Sequence, residues 1–284
     1  MITTLAKDPK DTKHTNDTKD PKPAKVTNAC AGRACFVRFV LFVAFVLPAT
    51  TAHAQELLPR FDFHLEARYL TSADPRFNWT FDFGADIDVA RWQRSRAVFR
   101  ADYEALAGEQ FRRFDVNQSN YLLEGGILFR VAGMEIGPIW HHVSRHLSDR
   151  AKRFPIDWNM LAARAAGAWD TGATRFGVEL DARKTVTNIF VDYDWEVEAT
   201  ARTITRLTTR YAFVGSGGLR IVAVDGSRER GTQAGGRADA GLRLSGRAAS
   251  AELFAGVERR IDPYALEFAT ATWFLAGLRL TSVP

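Results

Sequence analysis

From Arg76 to Val89 apolar and polar residues alternate without a break. Phe77, Trp79, Phe81, Phe83, Ala85, Ile87 and Val89 fall on one face, and Arg76, Asn78, Thr80, Asp82, Gly84, Asp86 and Asp88 on the other. Side chains of a strand alternate with period two, so this is a strand with one apolar and one charged face. Similar segments follow one another: 59–69, 76–90, 94–106, 120–131, 134–147, 157–169, 173–184, 189–200 and 203–213, then 218–225, 237–245, 248–259 and 268–281. Repeated apolar-out, charged-in strands mark a transmembrane β-barrel, whose lumen accepts charges that lipid would not. On this reading Phe99, Tyr103, Tyr193, Trp195, Tyr211 and Phe213 belong to outward aromatic girdles, and Asp192, Asp194, Glu196 and Glu198 form an inward acidic row.

Thirteen segments conflict with the even strand number of single-chain bacterial barrels. Glycines mark bends in barrel strands, so Gly215 to Gly218 is read as a kink within one strand, 203–225. The count becomes twelve. The short connections Ala132-Gly133, Asp170 to Gly172 and Gly246-Arg247 then share one rim, and the longer ones, 107–119, 148–156, 226–236 and 260–267, share the other. The predicted fold is all-β: a single antiparallel transmembrane barrel of twelve strands over residues 55–284.

Residues 1–54 read as an address. Phe39 to Leu47 is a short apolar run flanked by Arg33 and Arg38 and followed by Ala52-His53-Ala54. That is a signal-peptide pattern, too short to span a bilayer, with cleavage expected after Ala54 and no lipidation. Residues 1–25 are lysine-rich polar sequence of disordered character. The first 54 residues hold eight of the 38 basic and four of the 33 acidic side chains, which leaves 30 against 29. The basic character therefore leaves with the leader, and nucleic acid is not an expected partner. Cys30 and Cys35, the two cysteines, leave as well, which suits an oxidising periplasm. The expected location is the bacterial outer membrane. The expected partners are membrane lipid and the outer-membrane insertion machinery, with a homodimer left open.

Candidate chemistry is concentrated between Trp140 and Asp149. Strand 134–147 places Met134, Ile136, Pro138, Trp140, His142, Ser144 and His146 on its apolar-beginning face. If that face meets lipid, His142 and Ser144 look outward at its upper end. A His and a Ser two apart on one strand face are neighbours, so the imidazole can serve as general base for a serine nucleophile. Pairing across the next hairpin would set Asn159 opposite His142 and Asp157 opposite Ser144, and either could orient the imidazole. His146 is a secondary candidate on the same face. No metal site is expected. His142 and His146 lie roughly 13 Å apart on an unbent strand, and Ser148 and Asp149 supply only two oxygens for calcium.

His142-Val143-Ser144, outward on a strand, with an amide or carboxylate early on the next, resembles outer-membrane phospholipase A and the lipid A 3-O-deacylases. The resemblance implies a His-x-Ser pair facing the outer leaflet, twelve strands, and Ca2+ as a candidate cofactor. Arg145 and His146 stand where the phospholipase pattern has Asn-Gly. The stretch His142 to Asp149 is also similar to an uncharacterised group of bacterial envelope proteins bearing His-x-Ser-Ser-His-Leu-Gly-Asp, with departures at Arg145 and Ser148. Two functions stay open. One is a serine lipid acyl hydrolase with Ser144 as nucleophile, His142 as base and Asn159 or Asp157 as orienter. The other is a non-catalytic barrel, a narrow channel or structural envelope protein, in which His142 and Ser144 are ordinary rim residues.

Overall fold

The computed structural model describes residues 55–148 and 153–282. The leader with Cys30, Cys35 and the expected cleavage site, and Asp149 in the candidate segment, lie outside the described residues. Twelve strands run in chain order: β1 (Glu56–Leu70), β2 (Trp79–Arg91), β3 (Ser95–Gly108), β4 (Asp115–Val131), β5 (Met134–His146), β6 (Ile156–Thr171), β7 (Thr174–Ile189), β8 (Tyr193–Arg206), β9 (Tyr211–Val224), β10 (Gln233–Ser245), β11 (Ala249–Ile261) and β12 (Thr270–Ser282). Each pairs antiparallel with its chain neighbours, and β1 closes on β12 through His64↔Thr281 to Leu70↔Leu275. Closure leaves no unpaired edge, which is what a sheet in lipid requires. The two-residue hairpin β4–β5 turns on Ala132 (φ 50°) and Gly133 (φ 85°). Two successive positive φ values are those of a type I′ turn, whose twist matches that of the strands it joins.

The count of twelve holds, but one junction differs from expectation. Residues 203–225 are not a single strand: β8 ends at Arg206 and β9 begins at Tyr211. The Thr208 hydroxyl accepts the backbone N–H of Arg210 and of Tyr211, at 3.2 and 3.0 Å, and fixes the reversal there. Gly215 to Gly218 lie within β9, paired on both sides.

Two side chains also point otherwise than expected. Phe77 does not face outward. It ends a short 3-10 turn, Pro75–Phe77, and stacks on Tyr264 with ring centroids 3.9 Å apart. Tyr193 is buried inward, its hydroxyl donating to Asp262 at 2.8 Å. A bulge at Asp194 causes this, since Tyr193 pairs with Val224 but Trp195 with Ala223. One extra residue switches the face of everything beyond it. Asp194 consequently leaves the inward acidic row and pairs with Lys184, while Asp192 sits in the β7–β8 connection.

Outside further register shifts at Leu58–Pro59, Val89, Asn117 and Val186, the alternation holds. Trp79, Phe83, Phe99, Tyr211 and Phe213 are exposed on the outer surface, and Asp88, Glu124, Arg164 and Glu196 are buried in the lumen. Glu124 is a hub. It accepts from His141 Nδ1 at 2.8 Å, Arg164 Nη2 at 2.8 Å and Arg100 Nη1 at 3.3 Å. Buried charges survive only when paired and hydrogen-bonded in this way.

At the rim opposite the chain ends the lumen is capped. Val143, Trp158, Met160, Tyr193, Val222 and Ile261 form an apolar cluster. The connection 262–269 folds over it. Gln118 donates to the Pro263 carbonyl and accepts from Ala265 N–H, at 3.1 and 2.6 Å, and Arg145 donates to the Asp262 carbonyl at 2.6 Å. Arg230 bridges Asp192 and Asp262 at 2.5 and 2.8 Å. Those two carboxylates, Asp192 foremost, raise the pKa of the guanidinium further above its ordinary value.

Candidate active site on the outer face of β5

The outer face of β5 is apolar from Met134 to Pro138 and then turns polar. Trp140 marks the change, stacked on the His142 ring at 5.6 Å and 6°. Beyond it come Ser144 and His146, both on the outer surface, as strand period requires. Their inward neighbours Val143 and Arg145 are buried in the cap.

Across the hairpin, His142 is paired with Asn159 and Ser144 with Asp157, the register expected from the sequence. His142 Nδ1 lies 3.0 Å from Asn159 Oδ1. An amide oxygen can only accept, so the imidazole proton sits on Nδ1 and the Nε2 lone pair is left for a substrate or nucleophile. The Asn159 amide is itself oriented, because Nδ2 donates to Thr187 Oγ1 at 3.0 Å. Thr187 reaches this position through a bulge: Asn159 pairs with Thr187 and Met160 with Thr185, leaving Val186 unpaired. Such an insertion re-aims side chains.

Ser144 does not use His142. Its Oγ lies 3.0 Å from His146 Nε2, the imidazole on the rim side. His146 meets the edge of Tyr121 at 5.2 Å, and Tyr121 is the cross-strand partner of Ser144 on β4. Tyr121 continues a row of rings across the outer surface: Phe83 to Tyr103 and Tyr103 to Tyr121 are each 5.0 Å apart. Ser144 therefore ends an aromatic row that crosses β2, β3 and β4. Of the sequence candidates, the structure joins His142 to Asn159 and Ser144 to His146 as two separate pairs. Asp157 stands opposite Ser144 in register. Thr187 and Tyr121 were not singled out from sequence, since one depends on the bulge and the other on register across a separate hairpin. Among the described residues no three His, Cys, Asp or Glu side chains converge as a metal site.

No family model and no curated protein matches the chain. Solved structures do. Outer membrane phospholipase A from Escherichia coli aligns with 80% of this chain and 98% of its own at 12% identity, with a TM-score of 0.50. The fold is that of a bacterial outer-membrane barrel. The outer membrane phospholipase dimer of Salmonella typhi, solved with bound calcium, aligns with 81% of this chain and 93% of its own at 11% identity and TM-score 0.50. LpxR from Salmonella typhimurium aligns with 78% of this chain and all of its own at 9% identity and TM-score 0.46. At 11–12% identity the likeness to the two phospholipases is one of architecture alone, that of the closed antiparallel barrel.

Proposed function

We propose that this barrel resides in the bacterial outer membrane and hydrolyses an ester-linked acyl chain of a membrane lipid at the outer leaflet. Ser144 is the nucleophile. The carrying observation is that its hydroxyl, on the outer surface of the barrel, is hydrogen-bonded to one imidazole and lies two residues from another that an amide has already oriented. A serine needs a base to lose its proton, and a base needs a fixed tautomer. His142 meets the second requirement through Asn159 and Thr187, and His146 holds the serine at rest. Rotation of the Ser144 side chain toward His142 would complete a His–Ser–Asn set. The hydroxyl proton then passes to Nε2 as Oγ attacks the ester carbonyl and goes on to the departing alcohol oxygen. This leaves an acyl-serine that water hydrolyses with the same imidazole as base, which restores the Ser144 hydroxyl.

The described loops cap the lumen with an apolar cluster, an arrangement that does not favour the channel reading. The remaining alternative is a non-catalytic envelope barrel. The test is acyl release from phospholipid and from lipid A by detergent-folded protein, with calcium added and with calcium chelated, and with the oligomeric state measured in both conditions. Release that disappears in Ser144→Ala supports the hydrolase. No release from either lipid in either condition removes it.

A further inference from the structure

The lumen contains a cavity of about 1600 Å³. It exists because one wall is built from short side chains. Ala166 on β6, Gly177 on β7, Thr200 on β8, and Ser216 and Gly218 on β9 all line it. A Cβ added at Gly177 would meet no atom within 4 Å. Toward the cap the cavity ends on buried Val143, Trp158 and Ile261, whereas toward the short turns its lining residues Arg130, Gly133 and Arg175 are exposed. It is a blind vestibule with its mouth on the rim that carries the chain ends.

That mouth is basic. Arg91, Arg96, Arg130, Arg175 and Arg202 line the vestibule from five different strands. Arg91 and Arg96 share Asp88, Arg96 also meets Glu135, and Arg202 meets Glu252. Arg130 and Arg175 have no carboxylate within salt-bridge distance among the described residues. Deeper in the lumen the lining arginines are ion-paired, as Arg237 and Arg279 are with Glu66 and Arg183 with Glu196, so the unpaired positive charge lies at the mouth. Every basic side chain in the lining is arginine apart from His141, so the positive charge is carried by planar forks that bind oxyanions in two-point fashion. A cleft with low-dielectric walls concentrates such a field.

We propose that this vestibule is a binding site for a soluble multivalent oxyanion, a polyphosphate or polycarboxylate, that enters from the rim of the short turns. The ligand is water-soluble because the site is enclosed by the strands and separated by the barrel wall from bilayer lipid. Arg130 and Arg175 supply the unneutralised charge, and the wall around Gly177 supplies the room. The site is distinct from Ser144, which lies on the outer surface near the opposite rim.

Isothermal titration of the folded barrel in neutral detergent, with sodium tripolyphosphate and separately with citrate, tests this. At about 0.1 M NaCl, where the Debye length is about 10 Å, one saturable site is expected for at least one probe. The double variant Arg130→Gln/Arg175→Gln should weaken it by at least about tenfold with an unchanged melting temperature. Gly177→Leu, which fills the space and keeps every charge, should weaken it too. Ser144→Ala should bind like the parent protein, so failure of the hydrolase reading leaves this one standing. Absence of saturable binding for both probes, or equal binding by the double variant, overturns the proposal.

Discussion

Ser144 Oγ lies 3.0 Å from Nε2 of His146, while His142, two residues the other way, is turned to Asn159. The serine thus sits between two imidazoles with different surroundings. His142 is stacked on Trp140 and tied to an oriented amide. His146 is more exposed and meets the edge of Tyr121. The amide oxygen of Asn159 cannot donate, so it fixes the tautomer of His142.

The first prediction separates the two imidazoles. Ser144→Ala should abolish acyl release while the barrel stays folded, since surface substitutions usually alter stability by no more than about 0.5 kcal/mol. His142→Ala should be as severe, because general-base loss costs about 10²–10⁴-fold and the pair acts as one unit. His146→Ala should retain turnover. The reverse ranking in single-turnover assays would transfer the base role to His146.

Asn159→Ala should fall between His142→Ala and the parent protein, and Thr187→Val should follow in the same direction with a smaller loss. Each leaves imidazole and hydroxyl in place and removes only orientation. Asp157→Ala should be close to the parent protein. A loss in Asp157→Ala larger than in Asn159→Ala would make the carboxylate the orienting group.

The cap should depend on Arg230. Its removal leaves Asp192 and Asp262, both buried, without their cation. Breaking a buried pair from one side typically costs about 3–5 kcal/mol. Arg230→Ala should lower the melting temperature and speed amide exchange in residues 262–269. Because the pKa of Arg230 is raised on folding, its contribution is complete below the ordinary arginine pKa and is lost only above it. The difference between Arg230→Ala and the parent protein should therefore stay constant on going from neutral to mildly alkaline pH.

Substitutions on the two faces of the barrel wall, at Phe83 on β2 and Gly177 on β7, should read out which face meets lipid. Phe83→Arg places a charge on the outer surface and should cost about 2–4 kcal/mol if the position lies near the bilayer midplane, less near an interface. On the inner wall, Gly177→Ser enters open space and should be nearly neutral. Refolding titrations into lipid vesicles measure both. Equal costs would mean that the two faces are not solvated as proposed.

The period-two alternation from Trp79 to Val89, repeated along the chain, is a local property. It carried the strand type, the closed barrel and the outward placement of His142, Ser144 and His146, because a strand side chain has only two faces to choose from. The His142–Asn159 and Ser144–Asp157 register followed as well, being set by pairing within the single β5–β6 hairpin. What failed depended on single inserted residues, on distant partners or, for 203–225, on where one turn falls. The bulge at Asp194 turned Tyr193 inward, and Phe77 found Tyr264, far along the chain. The choice of Ser144 between His142 and His146 lies beyond the alternation too, because all three share one face and only side-chain rotamers, held by Asn159, Thr187 and Tyr121 from three neighbouring strands, distinguish the two pairings. Tertiary structure alone decided these points. A pattern along one strand fixes which side a residue faces, whereas the contact it makes there is fixed by strands that the chain reaches only after it has turned.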